Sequence, residues 1–293
     1  MRAFFLKLSF RLFAALPLPL AQGIGAFLGW LLLIIPNTRR RTAEINLKLC
    51  FPEMSRGARQ RLLHRSLIEA GKSVTELGVI WTCSEKRIGR LLRRISGKSE
   101  VEKAMTRGKG LILALPHLGA WEIIGMWGSL KYPMTSLYRT PPISQMGDLM
   151  RTGRERFGAK LVGADNKGLR VLYKALENGE MVAILPDQVP SSRGASVFAP
   201  FFSIPVSTMV LLSRLASKTG ATVLFAYAER LPHGRGYHLH FLPVPPEVGQ
   251  GNLEASATAI NAMVEKCVRA APEQYQWIYK RFRVQPGKMK SPY

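Results

Sequence analysis

The stretch that decides the fold is Gly110-Leu-Ile-Leu-Ala-Leu-Pro-His117-Leu-Gly-Ala-Trp-Glu122, where an apolar run leads directly into a histidine and, five positions later, a glutamate. A short apolar run that ends at a proline indicates a buried strand. Each helical residue turns by about 100°, so His117 and Glu122 would lie about 140° apart on one helix and could not share a face. The spacing therefore predicts that His117 occupies the turn between a strand and a helix, with Glu122 in the first helical turn.

This pair of residues has one chemical and one structural interpretation. In the chemical one, the Glu122 carboxylate bonds one imidazole nitrogen of His117 and leaves the other free to act as a general base on a substrate. Gly119 would permit the tight turn between them. In the structural one, the histidine is hydrogen-bonded at a strand end and the glutamate is favoured by the helix dipole. The spacing alone favours the structural interpretation, so the choice between the two depends on other features of the sequence.

Outward from this stretch, short apolar runs alternate with amphipathic stretches, which is typical of an α/β fold with a central sheet flanked by helices. The predicted strands are residues 111–115, 134–138, 160–162, 181–185, 222–228 and 237–242. The predicted helices are residues 121–130, 143–157, 167–178, 206–219, 253–270 and 273–281, and residues 53–93 are also helical in pattern. Residues 186–205 lack clear periodicity and are a candidate active-site loop.

Composition and charge narrow the class of protein. With 47% hydrophobic residues among 293, the chain is neither disordered, collagen-like nor a disulfide scaffold. The net charge of +23 should attract phosphates, anionic lipid or an acidic protein. Because the basic residues are dispersed and no nucleic-acid-binding module is recognised, we expect no nucleic-acid partner. The three cysteines are too far apart in sequence to form a zinc-ligand pair, which suggests reduced thiols on the cytosolic side.

The N-terminal forty residues are predicted to anchor the chain in a membrane, ahead of a domain over residues 41–293. Residues 12–38 carry no charge, and the apolar part would be about 36 Å long as a helix, against about 30 Å of bilayer hydrocarbon. Pro17 and Pro19 interrupt its start, so the continuous helix is predicted from near Pro19 to Ile35. A cleaved secretory signal is the rival interpretation, and the choice between a full span and a monotopic insertion stays open.

Further motifs follow in order along the chain. They are Tyr138-Arg139 with prolines after it, Leu185-Pro-Asp187-Gln188, Pro205-Val-Ser-Thr208 and Pro272-Glu-Gln-Tyr-Gln-Trp277-Ile-Tyr-Lys-Arg281. Together with His117-Leu-Gly-Ala-Trp-Glu122, they make the chain resemble the lipid A late acyltransferases that add lauroyl or myristoyl chains, within the lysophospholipid acyltransferase superfamily. The resemblance covers essentially the whole sequence.

This resemblance implies a glycerolphosphate-acyltransferase-like fold with an N-terminal membrane helix, at the bacterial inner membrane with the catalytic domain on the cytoplasmic side. It implies acyl transfer from an acyl-carrier-protein thioester to a hydroxyl of a phosphorylated lipid A precursor. His117 would be the general base and Glu122 its orienting carboxylate. Substrate-binding roles fall to Arg139, Asp187, Gln188 and Arg281, with weaker expectations for Thr208 and Arg230. A surface position at a strand end is the alternative for Arg139, and a purely structural turn is an equal alternative for Asp187 and Gln188. No cofactor or metal is implied.

The sequence departs from the family pattern at Pro116, at Ala120 and at Tyr279-Lys280, which puts chain length and acceptor identity in doubt. One alternative is an acyltransferase for another lipid acceptor, such as a lysophospholipid, a glycolipid or an aminolipid. Another is a non-catalytic basic membrane protein that binds lipid. For Arg281 and its basic neighbours, a solvated helix face is as plausible as a contact with acceptor phosphates.

A predicted hairpin carries three histidines, His233, His238 and His240. The last two would share one face of a strand and could bind a metal ion. A polar hairpin surface is the favoured interpretation.

Overall fold

The computed structural model describes residues 2–138, 144–190, 194–249, 252–287 and 290–293, with side chains from residue 9 onward except those of residues 144 and 145. The helices are α1 Arg2–Ala15, α2 Leu18–Ile34, α3 Thr38–Cys50, α4 Arg56–Thr82, α5 Glu85–Leu91, α6 Lys98–Thr106, α7 Trp121–Lys131, α8 Ser144–Glu155, α9 Asn166–Glu177, α10 Leu211–Thr219 and α11 Leu253–Ala270. The strands are β1 Leu92–Ser96, β2 Leu111–Ala114, β3 Met134–Tyr138, β4 Lys160–Gly163, β5 Met181–Ile184, β6 Ser196–Phe201, β7 Ile204–Met209, β8 Thr222–Arg230 and β9 Tyr237–Pro243.

Within the residues that the structure describes, seven strands form one mixed sheet in the order β1-β9-β8-β2-β5-β3-β4. Neighbouring strands are parallel except β8 and β9, which pair antiparallel. The predicted α/β class with a central sheet flanked by helices is therefore confirmed. The carboxyl ends of β8, β2 and β5 meet at one edge, and loops at such an edge are where α/β proteins place their sites.

Helices cover both faces of the sheet because the central strands are apolar on both sides. Along β2, Ile112 and Ala114 face one hydrophobic core, while Leu111 and Leu113 face the other. The first core includes residues of α3, α9, α10 and α11 and of the amino-terminal part of α4. The second includes residues of α1, α2, α5, α6, α7 and the carboxyl-terminal part of α4.

Three sequence expectations are wrong. Residues 206–209 belong to a β-hairpin of β6 and β7 rather than to a helix, and the helix begins only at Leu211. β-Branched residues at 204, 206 and 208 favour the strand, and this hairpin also structures the end of the predicted 186–205 loop. Residues 273–281 form one short 3₁₀ turn and then irregular chain. The helical pattern expected over residues 53–93 stops short of its predicted end, because the basic edge strand β1 begins at Leu92.

The N-terminal helices pack closely against the rest of the protein. A Cβ atom on Gly29 of α2 would lie 2.3 Å from the Leu67 carbonyl oxygen of α4, and one on Gly71 would lie 2.0 Å from the Gly25 carbonyl oxygen. Only glycine allows two helix backbones to approach so closely. The α2–α4 contact is therefore fixed by backbone shape.

The membrane anchor and the domain boundary at residue 40 stay predictions. Among the described residues, no single helix combines the length and the apolar composition needed to cross a membrane. The helices α2 and α3 together have that length and apolar composition, but they are bent by 84° at the break between them.

Candidate active site

His117 and Asp187 meet just beyond the ends of two neighbouring parallel strands. Ala114 of β2 pairs with Ile184 of β5, and each site residue lies three positions further along its own chain segment. The Asp187 carboxylate accepts a hydrogen bond from the His117 backbone N–H at 2.8 Å, and its other oxygen lies 2.7 Å from His117 Nδ1. His117 is 9% exposed and Asp187 is 2% exposed, so the pair lies at the base of the site.

This contact corrects the expected partner of the histidine. Glu122 was predicted to orient the imidazole, but the carboxylate bonded to the His117 ring is that of Asp187. Burial raises the pKa of Asp187, but the charge of His117 and its two hydrogen bonds outweigh burial and lower this pKa below its usual value. An ionised Asp187 can accept a hydrogen bond from Nδ1–H, and in that tautomer Nε2 is the nitrogen that can accept a proton.

Glu122 instead holds the start of α7 against two other helices. Its carboxylate accepts hydrogen bonds from Trp81 Nε1 at 2.9 Å and from Arg154 Nε at 2.9 Å, and it also pairs with Arg154 Nη2. Although burial raises the pKa of Glu122, the ion pair with Arg154 and the other contacts lower it overall. This folded-state pKa lies below the unfolded value, so the pair stabilises the fold above about pH 5, and the stabilisation is lost as the pH falls through the folded pKa.

The charge of His117 contributes to lowering the pKa of Glu122, so the two side chains interact electrostatically without a hydrogen bond. The physical reason for the missing direct contact is geometric. Gly119 has a φ of +62°, and the turn that it makes directs the imidazole toward Asp187 while α7 carries Glu122 toward Trp81.

Gln188 covers the second imidazole nitrogen. Its Nε2 lies 3.0 Å from His117 Nε2, where an amide N–H can donate to the basic nitrogen. The neighbouring Val189 N–H donates to the Tyr279 hydroxyl at 2.9 Å, which fixes this turn. Tyr279 stands at a position where the sequence departs from the family pattern, and in the structure its hydroxyl holds the turn that carries Gln188.

The segment that begins at Pro272 holds the turn of residues 115–120, which carries His117, in place. The Gln274 carbonyl accepts from Gly119 N–H at 3.0 Å, and Gln276 N–H donates to the His117 carbonyl at 3.0 Å. These bonds explain why residues 273–281 are not a helix, since their backbone groups bond to the site loop instead. Sequence reasoning missed Gln274 as a site residue, although it lies within a motif that carried the resemblance.

A buried ionic network lies behind this loop. Arg230 donates to Glu76 through Nε and Nη2 and to the Gly119 carbonyl oxygen at 2.9 Å. Glu76 also accepts from Gln22 of α2 at 3.1 Å. Burial lowers the pKa of Arg230, but the charges of the carboxylates raise it above its usual value. The weak expectation of a substrate role for Arg230 is replaced by a role in holding the Gly119 backbone.

Arg281 is buried, contrary to both roles considered for it. It is 3% exposed and donates to the Ser207 carbonyl at 2.6 Å and to Thr208 Oγ1 at 3.3 Å. Its positive charge helps to lower the pKa of Asp187. Neither an acceptor phosphate nor solvent reaches such a position, whereas its neighbours Lys280 and Arg283 are exposed. Arg139 lies outside the described residues.

An apolar pocket lies beside the histidine. The Trp121 ring, whose centroid is 5.1 Å from that of His117, lines it together with Leu115, Gly125, Met134 and Leu185. The space in the pocket that a water-sized atom can occupy is about 30 Å³, and Glu122 and Arg154 form the polar side of the pocket. The site thus combines a candidate base with a narrow apolar pocket.

Within the described residues, the cluster of side chains suited to hold a metal ion is formed by Glu229, His238 and His240 on β8 and β9. His117 and Asp187 do not belong to it.

Comparison with known proteins identifies the class of this protein as an acyltransferase. The chain is 32% identical over 280 residues to the lipid A biosynthesis lauroyltransferase of Escherichia coli K12, covering 95% of this chain and 90% of the relative. It is 31% identical to the palmitoleoyltransferase of the same strain, over 94% of this chain and 89% of the relative, and 26% identical to its myristoyltransferase, over 94% and 85%.

The chain belongs to the bacterial lipid A biosynthesis acyltransferase family, whose model matches residues 2–284. The expected family is therefore confirmed. The three relatives are named for three different acyl chains at similar identity, so overall similarity does not determine which chain this enzyme transfers.

Proposed function

We propose that this enzyme moves a fatty acyl chain from an acyl-carrier-protein thioester to a hydroxyl group of a phosphorylated lipid A precursor. The observation that carries the proposal is the His117–Asp187 pair beside an apolar pocket, in a chain of this family. The His117–Asp187 pair would transfer the proton, and the apolar lining of the pocket would contact the hydrocarbon chain.

In the proposed reaction, the acceptor hydroxyl displaces the Gln188 amide and donates its hydrogen bond to His117 Nε2. The imidazole takes this proton as the hydroxyl oxygen bonds to the thioester carbonyl carbon. The carbon–sulfur bond then breaks, and the departing sulfur takes the proton back, which leaves an ester and a free thiol. Asp187 holds the tautomer and stabilises the imidazolium, and Glu122 adds negative charge at longer range.

The remaining substrate contacts are proposals from the family resemblance. Arg139 would bind a phosphate or the developing oxyanion, because a guanidinium offers a planar fork of donors. An acyl-carrier protein is acidic, and the net charge of +23 suits its approach as well as that of a phosphorylated acceptor.

We place the enzyme at the cytoplasmic side of the bacterial inner membrane. Residues Leu20, Phe27 and Trp30 of α2 are 40–60% exposed, which forms an apolar outer face on a helix whose other side packs on α4. An exposed apolar face of this kind is typical of a membrane contact.

The substitution Asp187→Asn tests the proposed orientation of the base. We expect kcat to fall by about 10²- to 10⁴-fold with little change in KM, because an amide can donate to Nδ1 and stabilise the wrong tautomer. The assay follows transfer from acyl-carrier-protein thioester to a lipid A precursor in detergent micelles. Asp165→Asn, an exposed helix-capping position, is the matched control. Unchanged kcat in Asp187→Asn would show that Asp187 does not orient the base.

Gly125→Leu tests whether the pocket holds the acyl chain. A Cβ on Gly125 meets no atom within 4 Å, so the fold tolerates a side chain there while the pocket loses volume. We expect the kcat/KM for the longest acyl donors to fall more than about tenfold relative to short donors, since each excluded methylene costs about 1–3 kcal/mol. Gly89→Leu on α5, where added atoms also meet open space, is the control. An unchanged donor profile would place the acyl chain elsewhere.

The same assay separates the alternatives. Transfer to a lysophospholipid, a glycolipid or an aminolipid in preference to the lipid A precursor would identify another acceptor. Lipid binding without thioester consumption would identify a non-catalytic protein.

A further inference from the structure

The register of the β8–β9 hairpin places Glu229, His238 and His240 together. Glu229 pairs directly with His238, and Tyr227 pairs with His240 two positions further along. Side chains two positions apart share a face of a strand, and directly paired residues lie on the same face of a sheet. The three potential ligands therefore project from one side of the hairpin.

Their ligand atoms are close enough for a single ion. One atom from each residue lies within 4.8 Å of the other two. Glu229 Oε2 is 3.0 Å from His240 Nε2 and 3.9 Å from His238 Nδ1. Two ligands of a tetrahedral zinc ion, each at about 2.0–2.1 Å, are about 3.3 Å apart, so small side-chain rotations suffice to converge on a cation.

Neighbouring side chains hold both rings in place. Ser96 Oγ of β1 lies 2.8 Å from His238 Nε2, which leaves Nδ1 facing the carboxylate. The Tyr227 ring stacks on the His240 ring with centroids 4.4 Å apart. A metal-binding histidine commonly has its second nitrogen hydrogen-bonded in this way, because that bond fixes ring orientation and tautomer.

We propose that Glu229, His238 and His240 form a binding site for a divalent transition-metal ion of the zinc class, separate from the His117 site. Two imidazoles and one carboxylate are ligands that suit Zn²⁺ and its first-row neighbours, and water completes the coordination. The ion links β8 to β9 and, through Ser96, reinforces the edge of the sheet at β1. The three side chains are only partly buried, so an ion reaches them from solvent.

One neighbouring charge opposes the ion. Arg94 of β1 is paired with His238 of β9 in the sheet and is exposed, and its positive charge disfavours positive charge on His238. Replacement by a neutral residue removes this repulsion without removing a ligand. Arg94→Gln is therefore expected to bind the ion more tightly than the unmodified chain.

The test is calorimetric titration of ZnCl₂ into the full-length protein, purified in detergent and freed of metal with a chelator. We expect one equivalent to bind at this site, and Glu229→Gln and His240→Gln each to weaken binding more than about tenfold. His233→Asn is the matched control, because it removes an exposed imidazole from the same hairpin and asparagine tolerates the φ of +59° found there. The three cysteines are buried, which keeps them from competing.

Thermal unfolding gives an independent readout. Zinc is expected to raise the unfolding midpoint of the unmodified protein and of His233→Asn, but not of the two ligand variants, because an ion that binds only the folded state stabilises it. Circular dichroism in the absence of zinc checks that the variants are folded. Equal zinc affinity in all four proteins, or no zinc binding to the unmodified protein, would overturn the site. Neither result depends on acyl transfer.

Discussion

Replacing His117 with alanine is expected to reduce acyl transfer by about 10³-fold or more while leaving the protein folded. General base catalysis by a positioned side chain contributes about 10²- to 10⁴-fold, and this imidazole is the proposed base. Truncation also removes the imidazole, which contributes most to lowering the pKa of Asp187, while the backbone N–H of residue 117 and the Arg281 charge remain. The measurement is single-turnover transfer from a radiolabelled acyl-carrier-protein thioester to lipid A precursor.

Two comparisons make this result specific. His64→Ala on the exposed face of α4 is the matched control and should retain full activity. The thermal unfolding midpoint of His117→Ala should match that of the unmodified enzyme, so that lost transfer reports on the reaction rather than on folding. A His117→Ala variant that keeps normal turnover and a normal thermal midpoint would rule out His117 as the base.

The substitution Glu76→Gln is expected to destabilise the protein by about 3–5 kcal/mol. The Arg230 and Glu76 side chains are almost fully buried, with 3% and 2% exposure, and removal of one partner leaves a charge without full compensation. The effect should extend to activity, since Arg230 also donates to the Gly119 carbonyl two residues from the base. Denaturant unfolding in detergent, followed by tryptophan fluorescence, measures the loss.

Glu69→Gln provides the comparison for this substitution. Glu69 pairs with the same guanidinium at 3.3 Å but is 13% exposed, so solvent compensates part of its charge. We expect a loss of about 1 kcal/mol or less. Equal losses for the two variants would mean that the network stabilises through general charge balance rather than through the buried Glu76 contact.

The strands could be predicted from the sequence where an apolar run had no competing pattern. Residues 134–138 match β3 in full, and β2 and β5 begin at the predicted residues. The strands β2 and β5 are continuously apolar because parallel strands buried on both faces have no polar side. The error at 206–209 arose where the apolar spacing of α10 extended into a β-branched segment. Its partner strand, β6, lies in a region with no periodicity, so the pairing that stabilises the hairpin was not visible.

In the candidate site, too, contacts between distant segments could not be predicted from the sequence. The position of His117 in a strand-to-helix turn follows from local spacing, and the sequence predicted it. Its partner does not, because Asp187 reaches the imidazole only when β5 lies next to β2, and strand order is a tertiary property. Glu122 was the nearer carboxylate in sequence, but Trp81 and Arg154, from distant segments, bind it in the folded protein.

The close fit between α2 and α4 has a practical consequence for engineering. A truncated version lacking the first 35 residues could be made to obtain an enzyme that needs no detergent. It would expose the backbone around Gly71 to solvent and remove the hydrogen bond from Gln22 to Glu76. Water would then reach the carboxylate that holds Arg230, and with it the support of the Gly119 carbonyl. Solubilisation is better attempted by substituting polar residues for Leu20, Phe27 and Trp30 on the outer face, while the inner face keeps its glycines.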